Sequence, residues 1–306
     1  FNLFVSYRIK PTWALGETPD NTNPFISKLL GLSKVWHYLM NITTFILTFF
    51  VTQAYSVWRD MYRLSRGIQG RIQDIGLIVA ATAERNSRNG KYTRKSEALI
   101  NDVASFSRIF HAFMWAKYTK NFDILLTARG MNRMLSRGIL TNEQYAILCA
   151  LSSNDGPHHS CIMWIFIRCL RAIDEGTLVN NNDDRSLRDA IYSNILRLRG
   201  TYFDIGDLID GRIPLAYAHF VQILVDSFLL IAPFALYPEM GVWSIAAVGL
   251  LTLFYSGLLD LAKILLDPLD NDNFYLKSVN MDIGVLIRES NAGSVRWSNA
   301  ASILPF

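Results

Sequence analysis

Two long apolar runs follow one another in the carboxyl-terminal half of the chain, and they restrict its fold more than any other feature. They cover residues 213–237 and 242–266, 25 residues each. At ~1.5 Å of rise per residue, a helix of this length crosses the ~30 Å hydrocarbon core of a bilayer with room for tilt. The core of a soluble protein explains two such runs in tandem poorly. The pattern predicts a membrane hairpin of helices, with residues 238–241 as a tight turn between them.

The first of these runs carries a polar stripe. His219, Gln222 and Asp226 recur at steps of three and four residues, which places them on one face of a helix. Polar groups at membrane depth must face other helices or water, and are candidates for function. His219 and Asp226 would also be the proton pair of a membrane-bound enzyme, which is one alternative interpretation of the chain.

A third apolar stretch, residues 41–58 (NITTFILTFFVTQAYSVW), mixes phenylalanine with small polar residues. Asn41, Phe45, Phe49 and Thr52 fall on one line along a helix. A helix that is apolar on most sides is buried in a large core or in a bilayer. Two interpretations of the line stay open. The phenylalanines are core packing in a helical bundle, or, if several copies of the helix surround an axis, they form rings that constrict a pore.

Composition limits the class of protein and its partners. Of the 306 residues, 51% are hydrophobic and 18% are charged, against about a quarter charged in a typical soluble domain. The apolar residues are concentrated locally, which indicates a membrane protein with a substantial polar part. A formal net charge of +4 is too small to predict a nucleic-acid partner. Cys149, Cys161 and Cys169 have no CxxC spacing, so we expect three reduced, buried thiols.

The region after the third apolar stretch is cationic. Residues 59–137 contain 15 Lys or Arg against 6 Asp or Glu. We interpret this excess as a solvated helical face in preference to a phosphate site. Farther along, His158 and His159 follow the segment SSNDGP, which is rich in turn-forming residues. Adjacent histidines project in different directions and have no third ligand at metal spacing, so we expect both in a loop.

Four stretches resemble the bestrophins, a family of pentameric anion channels with animal, plant, algal and bacterial members. They are FILTFFVTQAY with VWRDMYR, LSRGILTNEQYAILCAL with PHH, GRIPLAYAHFVQI, and LAKILLDPLDNDNFYL. Together they cover about residues 43–276. The resemblance implies an all-α, multi-pass membrane protein with a large helical extramembrane region, assembled as a homopentamer.

The resemblance also implies a division of the chain. Residues 1–58 would be an N-terminal membrane part that contains the pore helix, with the family's first transmembrane helix truncated before Phe1. Residues 59–212 would form a helical region on the cytosolic or stromal side. Residues 213–266 would be the transmembrane hairpin, and residues 267–306 an acidic turn with a C-terminal tail.

The implied function is passive conduction of chloride, and of bicarbonate as a further candidate, through one axial pore. By this resemblance Asn41, Phe45 and Phe49 line the neck. Animal members have an aliphatic residue at the first of these positions, so Asn41 implies a shorter or wetter neck. The family's lower aperture falls near Ser186, whose small hydroxyl implies a weak second constriction.

The family's calcium clasp corresponds to the segment after Pro268, but it has fewer carboxylates here. Asp267, Asp270 and Asp272 would supply three of the oxygen ligands that Ca²⁺ needs. The alternative is an Asx-rich turn that caps a helix. Chloride is the expected permeant ion, and calcium is a possible bound ion without an assured role in gating.

Partners and location follow from the same resemblance. The chain is expected to associate with copies of itself, with the lipid bilayer and with chloride or bicarbonate, and with no nucleic acid. It is more similar to plant and algal members, which implies a chloroplast thylakoid membrane, with the plasma membrane as the alternative. No catalytic residues are expected and the chain is predicted not to be an enzyme. The alternatives to a channel are a membrane-bound enzyme and a scaffold with a non-conducting pore.

Overall fold

The computed structural model describes residues 1–151, 156–179, 183–211, 213–269, 271 and 281–300. The chain divides into two compact units. The hairpin unit consists of Phe1–Arg59 and Gly211–Pro268, and the bundle unit consists of Asp60–Asp210 and Leu269–Phe306. The prediction of an all-α protein is confirmed.

Helices form almost all of the regular structure in the described residues. They are α1 (Asn2–Ile9), α2 (Pro24–Thr82), α3 (Arg94–Tyr118), α4 (Ala128–Ser136), α5 (Asn142–Ala150), α6 (Pro157–Asp174), α7 (Asp184–Asp210), α8 (Leu215–Met240), α9 (Ser244–Leu266) and α10 (Ile283–Ala300). Short 3₁₀ turns cover Pro11–Leu15, Asp123–Leu126 and Gly241–Trp243. Isolated β-bridges join Ala83 to Leu178 and Arg85 to Tyr92.

Two stretches are long and apolar enough to cross a membrane. They lie in the 59-residue helix Pro24–Thr82 and in the 52-residue stretch Leu215–Leu266. The second is the hairpin that the two tandem runs predict, with α8 and α9 packed against each other. The helices and their apolar lengths agree with a multi-pass membrane protein.

The turn of the hairpin begins later than the sequence predicts. We expected the tight turn at residues 238–241, but α8 continues through Pro233 and Pro238 to Met240. A proline removes one backbone hydrogen bond without ending a long apolar helix when neighbouring segments support it. Gly241 is the residue that ends α8, because its φ of +54° is unfavourable for any residue with a Cβ. A Cβ there would also come within 2.7 Å of the Glu17 carbonyl oxygen.

The N-terminal helix α1 is anchored on this turn. Asn2 Nδ2 donates a hydrogen bond to Ser244 Oγ, and the hydroxyls of Ser6 and Tyr237 lie 2.9 Å apart. Both contacts are buried. Burial of a polar group costs little only when it has a hydrogen-bond partner, and here each of these pairs supplies one. The two contacts therefore fix α1 against the end of α8 and the beginning of α9.

The bundle unit has its own core. Helix α3 packs along α6 and against α10, and α6 packs against α7. Its largest fully buried side chains include Phe110, Phe113 and Trp115 on α3. Thr141 caps α5 in a capping box with Gln144, as a threonine followed three residues later by glutamine predicts.

The two histidines that we expected in a loop lie in a helix instead. Pro157 occupies the first turn of α6, where its fixed φ and missing N–H are compatible with a helix start, and His158 and His159 follow it. His158 is buried, and its Nε2 is hydrogen-bonded to Tyr202 Oη. Burial lowers the pKa of His158 to about 3, with the nearby His159 and Lys117 as smaller causes.

A second buried histidine lies in the same unit. His111 on α3 accepts a hydrogen bond from Trp115 Nε1 at 3.0 Å, and burial lowers its pKa to about 4. Both histidines are therefore neutral in the folded protein at pH 7. An unfolded histidine has a pKa of about 6.5.

We predict that the bundle unit loses stability as the pH falls below about 6.5. Between that value and the lowered pKa values, the unfolded chain binds more protons than the folded chain, so protonation favours unfolding. The midpoint of thermal unfolding, measured from about pH 8 to about pH 5, checks this. The double variant His111→Gln/His158→Gln should have a flatter pH profile even if its stability at pH 7 is lower.

His219→Gln is the matched control, because His219 is exposed in the protomer. Its profile should keep the slope of the parent protein. An unchanged slope in the double variant would contradict the assignment of the pH dependence to His111 and His158.

Candidate pore-lining site

One face of α2 within the hairpin unit is uncovered by the rest of the protomer. Phe45 is 73% exposed, Phe49 is 50% exposed, and Asn41 and Thr52 on the same line are exposed as well. Phenylalanines of a soluble core are normally covered. Within one protomer, therefore, neither ring belongs to the core.

The opposite face of α2 is packed tightly. Thr43, Leu47, Phe50 and Ala54 recur at steps of four and three residues and are all buried, between 0% and 2% exposed. Phe50 contacts Tyr217 edge to face, with ring centroids 5.8 Å apart. This face holds α2 against the hairpin by apolar contact.

Three further contacts fix the rotation of α2 about its axis. The ring of Trp36 stacks on that of Phe228 at 4.9 Å, and its Nε1 donates a hydrogen bond to the Phe228 carbonyl oxygen at 3.1 Å. Nearer the centre of the stretch, the hydroxyls of Thr44 and Tyr255 are 2.6 Å apart. Because these contacts engage α8 and α9 together, the direction in which Phe45 and Phe49 project is defined by packing.

Thr44 and Thr52 on the exposed side of α2 form hydrogen bonds within the helix, whereas the buried hydroxyl of Thr43 on the packed face has no hydrogen-bond partner in the described part of the chain. The hydroxyl of Thr44 donates to the Met40 carbonyl oxygen at 2.7 Å, and that of Thr52 donates to the Thr48 carbonyl oxygen at 2.8 Å. Threonine side chains that bond to the preceding turn place a methyl group and an oxygen on the helix surface without leaving a donor unpaired. The uncovered face is therefore a mixed surface of aromatic rings, hydroxyls and the Asn41 amide.

The polar stripe of α8 has a partner that the sequence did not reveal. Gln222 Nε2 donates to Asp226 Oδ2 at 2.7 Å, and Lys263 Nζ on α9 donates to Gln222 Oε1. Lys263 also lies 4.0 Å from Asp260. The three side chains thus form a hydrogen-bonded chain between the two hairpin helices, which offsets the cost of placing charge in an apolar setting.

His219 is not part of this chain. It is exposed in the protomer, and among the described residues it makes no hydrogen bond or ion pair. The proton pair of His219 with Asp226 stays a prediction. Lys263 could have been found in the sequence as a lone cation inside an apolar run, but its bond to Gln222 depends on the pairing of α8 with α9.

The remaining predicted site residues lie elsewhere. Ser186 is exposed in the first turn of α7, and its backbone N–H donates to Asp183 Oδ1 at 3.0 Å. Asp267 is buried and caps the end of α9. Asp270 and Asp272 lie outside the described residues. The lower aperture and the calcium ligand set therefore stay predictions.

Comparison with known proteins gives one family. A family model described as "Bestrophin, RFP-TM, chloride channel" matches residues 19–287. No curated protein matches the chain.

Several solved structures are similar to the chain in fold. A variant of a bacterial bestrophin homologue from Klebsiella pneumoniae matches with a TM-score of 0.68 at 13% identity, over 97% of this chain and 93% of that one. Another structure of the Klebsiella homologue matches with a TM-score of 0.66 at 11% identity, over 90% and 97%. A structure described as a membrane protein matches with a TM-score of 0.69 at 14% identity, over 97% and 94%.

We predict that Gln222→Leu lowers the free energy of unfolding by roughly 1–2 kcal/mol, because it leaves Lys263 and Asp226 without their common partner. Thermal or denaturant unfolding in detergent measures the change. The effect should be non-additive with that of Lys263→Met, because both substitutions break the same chain.

Thr252→Val provides the control for this cycle. Thr252 is an exposed residue of α9, and its hydroxyl bonds to the Val248 carbonyl oxygen of the same helix. Its small effect should add to that of Lys263→Met. Additive effects of Gln222→Leu and Lys263→Met would contradict a shared hydrogen-bonded chain.

Proposed function

The chain belongs to the bestrophin family, and on that premise we propose that it is a homopentameric anion channel whose neck is lined by Asn41, Phe45 and Phe49. The match to the chloride-channel family model and the bestrophin fold support an anion channel in general terms. The aromatic neck, the number of subunits and the preferred anion are our proposal. The observation that carries it is the uncovered line of aromatic side chains on α2.

Phe45 and Phe49 are exposed in the single protomer, so in the assembled membrane protein they face another surrounding. One face of α2 is already occupied by contacts such as that of Phe50 with Tyr217, so the other face meets lipid, a second copy or the axis. Closed rings of identical subunits place the same residue of each copy at the same height round the axis. Asn41, Phe45 and Phe49 would then form three successive rings, with Thr52 below them.

The chemistry of these rings suits a monovalent anion. An aromatic ring has a positive edge and a negative face, so edges turned towards the axis tolerate an anion better than a cation. A narrow apolar ring also sets a barrier by excluding water. Asn41 adds an amide N–H that can donate a hydrogen bond to an anion at the entrance. No charged residue is needed in the neck.

The cationic excess of residues 59–137 supports the same sign of selectivity. Fifteen basic residues against six acidic ones raise the local concentration of anions by electrostatic attraction. The attraction is screened by salt over about 8 Å at physiological ionic strength. We propose that this region raises the chloride concentration at the protein surface, while the uncharged neck decides the rate of conduction.

The permeant anion and the membrane are the finer parts of the proposal. We propose chloride as the main ion and bicarbonate as a second, because both are monovalent and an uncharged neck selects by size and hydration. The protein is an integral membrane protein of its family. We propose the thylakoid membrane as its location, with the plasma membrane as the alternative. As a passive channel it needs no covalent chemistry.

We predict that the purified protein in a planar bilayer carries an anion current. In asymmetric potassium chloride the reversal potential should lie near the equilibrium potential of chloride, because the neck and the cationic region both favour anions. Replacing chloride by bicarbonate on one side measures their relative permeability. A reversal potential at the potassium value would contradict the proposal.

We predict that Phe49→Ala increases the single-channel conductance severalfold. Removing the phenyl groups widens the constriction and lets water enter it. Phe254→Ala is the matched control. Phe254 is a comparably exposed phenylalanine on α9, 62% against 50% for Phe49, and it lies outside the proposed neck. Its conductance should equal that of the parent protein.

Native mass spectrometry of both variants establishes whether the assembly is intact and contains five copies. An unchanged conductance of Phe49→Ala in an intact assembly would show that this ring does not face the conducting path. Equal increases in both variants would indicate a general loosening of the membrane helices.

A further inference from the structure

A cavity of about 780 Å³ lies within the bundle unit. Its walls are α3, the 3₁₀ turn Asp123–Leu126, α4 and α10. The proposed channel function makes no use of it. A volume of this size is typical of sites for small organic ligands.

Four arginines surround the cavity. Arg108 lies on α3, while Arg129, Arg133 and the C-cap residue Arg137 follow one another at steps of four along α4. Side chains at such spacing lie on one face of a helix and, carrying like charges, repel each other. The cavity lining contains no acidic residue among those described, and none of the four arginines forms an ion pair with a described residue.

The position of Arg129 is unfavourable on electrostatic grounds. It lies in the first turn of α4, a turn without an acidic residue, where the partial positive charge of the helix N-terminus disfavours a cation. Neither its neighbours nor the helix dipole therefore stabilises it. An anion in the cavity would offset both the repulsion between the arginines and this cost.

Five residues that line the cavity are apolar and buried or half-buried, and we call them its floor. They are Ile109, Ala112, Leu125, Met134 and Ile287. Beside them is Asn291 of α10, whose Oδ1 is buried without a hydrogen-bond partner in the described part of the chain. A cavity with an apolar floor, an orphaned amide and a cationic rim is suited to a ligand with two chemically different ends.

We propose that this cavity binds a phosphorylated amphiphile, with the phosphate on the arginines and the apolar portion on the floor. Guanidinium groups bind phosphate oxygens through pairs of charge-assisted hydrogen bonds, which makes arginine the preferred residue for such recognition. The apolar portion gains from leaving water. The same chemistry belongs to the headgroup region of an anionic phospholipid and to a soluble phosphate ester with an apolar body.

Gly130 holds one wall of this site in place. A Cβ at this position would lie 1.9 Å from the Ile124 carbonyl oxygen, so only glycine lets α4 lie directly against the 3₁₀ turn. Arg129 and Arg133 lie one and three residues from Gly130 on α4. The close approach at Gly130 therefore determines their position at the cavity. The site therefore depends on backbone packing as well as on the arginines themselves.

The test is an isothermal calorimetric titration of the purified protein assembly with phenyl phosphate. This soluble probe has both a phosphate group and an apolar body. Inorganic phosphate has only the phosphate group and benzyl alcohol only the apolar ring. Each should bind at least about tenfold more weakly than phenyl phosphate. Arg133→Gln/Arg137→Gln should weaken phenyl phosphate binding by about tenfold for each arginine removed.

Arg88→Gln/Arg185→Gln is the matched control, since both residues are exposed in the bundle unit outside the cavity lining. It should bind phenyl phosphate as the parent does. Ile139→Ser tests the apolar part: Ile139 lines the cavity and is 45% exposed, so the substitution spares the core. It should weaken phenyl phosphate binding and leave that of inorganic phosphate unchanged.

Hydrogen exchange then distinguishes the two sources. Protection of α4 amides in bilayer discs that contain phosphatidic acid, and not in discs of phosphatidylcholine alone, assigns the site to a lipid. Protection of these amides by phenyl phosphate, without protection in the phosphatidic acid discs, assigns the site to a soluble ester. Equal affinity of parent and Arg133→Gln/Arg137→Gln for phenyl phosphate, or equal affinity of the parent for phenyl phosphate and inorganic phosphate, overturns the proposal.

Discussion

The one-sided packing of α2 on the membrane hairpin is the constraint on which the proposed neck depends. Trp36, Thr44 and Phe50 fix the rotation of the helix through a ring stack, a hydrogen bond and an edge-to-face contact. Successive residues of an α-helix are 100° apart. A rotation that turned Phe49 into the direction of Phe50 would therefore bury Phe49 and move Phe50 to the half-buried direction of Val51. The composition of the proposed neck is thus decided by the contacts on the far side of the helix, which never touch an ion.

The sequence predicted the elements well where length and period decide them. Two apolar runs of 25 residues predicted the hairpin, and the spacing of Phe45 and Phe49 predicted that they share a face. Spacing did not reveal which stripe of α2 is covered, because the stripe that contains Phe50 is as apolar as the other. The predicted turn at residues 238–241 was also wrong, because α8 continues through Pro238 to Met240. Pro238 ends a helix only where the backbone lacks support from its neighbours.

Charged and titratable residues were harder to assign because their roles depend on contacts between distant segments. The excess of basic residues in 59–137 predicted a solvated face, and the step of four between Arg129 and Arg133 was visible in the sequence. Their convergence with Arg108 appears only when α3 and α4 both pack against the 3₁₀ turn Asp123–Leu126. His158 shows the opposite case. Pro157 ahead of it is a normal helix start, so the signal for a helix was present, but the turn-forming residues before it suggested a loop.

The two units treat charge in different ways, and this bears on how an anion would cross the membrane. In the hairpin unit, Lys263 is joined to Asp226 through Gln222, whereas the arginines of α4 have no acidic partner among the described residues. An unpaired cation at membrane depth is costly, and it would also hold a passing anion too tightly for rapid conduction. The proposed neck of Asn41, Phe45 and Phe49 contains no such charge. Its preference for anions would therefore come from ring edges and amide hydrogens, which attract weakly enough to let an ion leave.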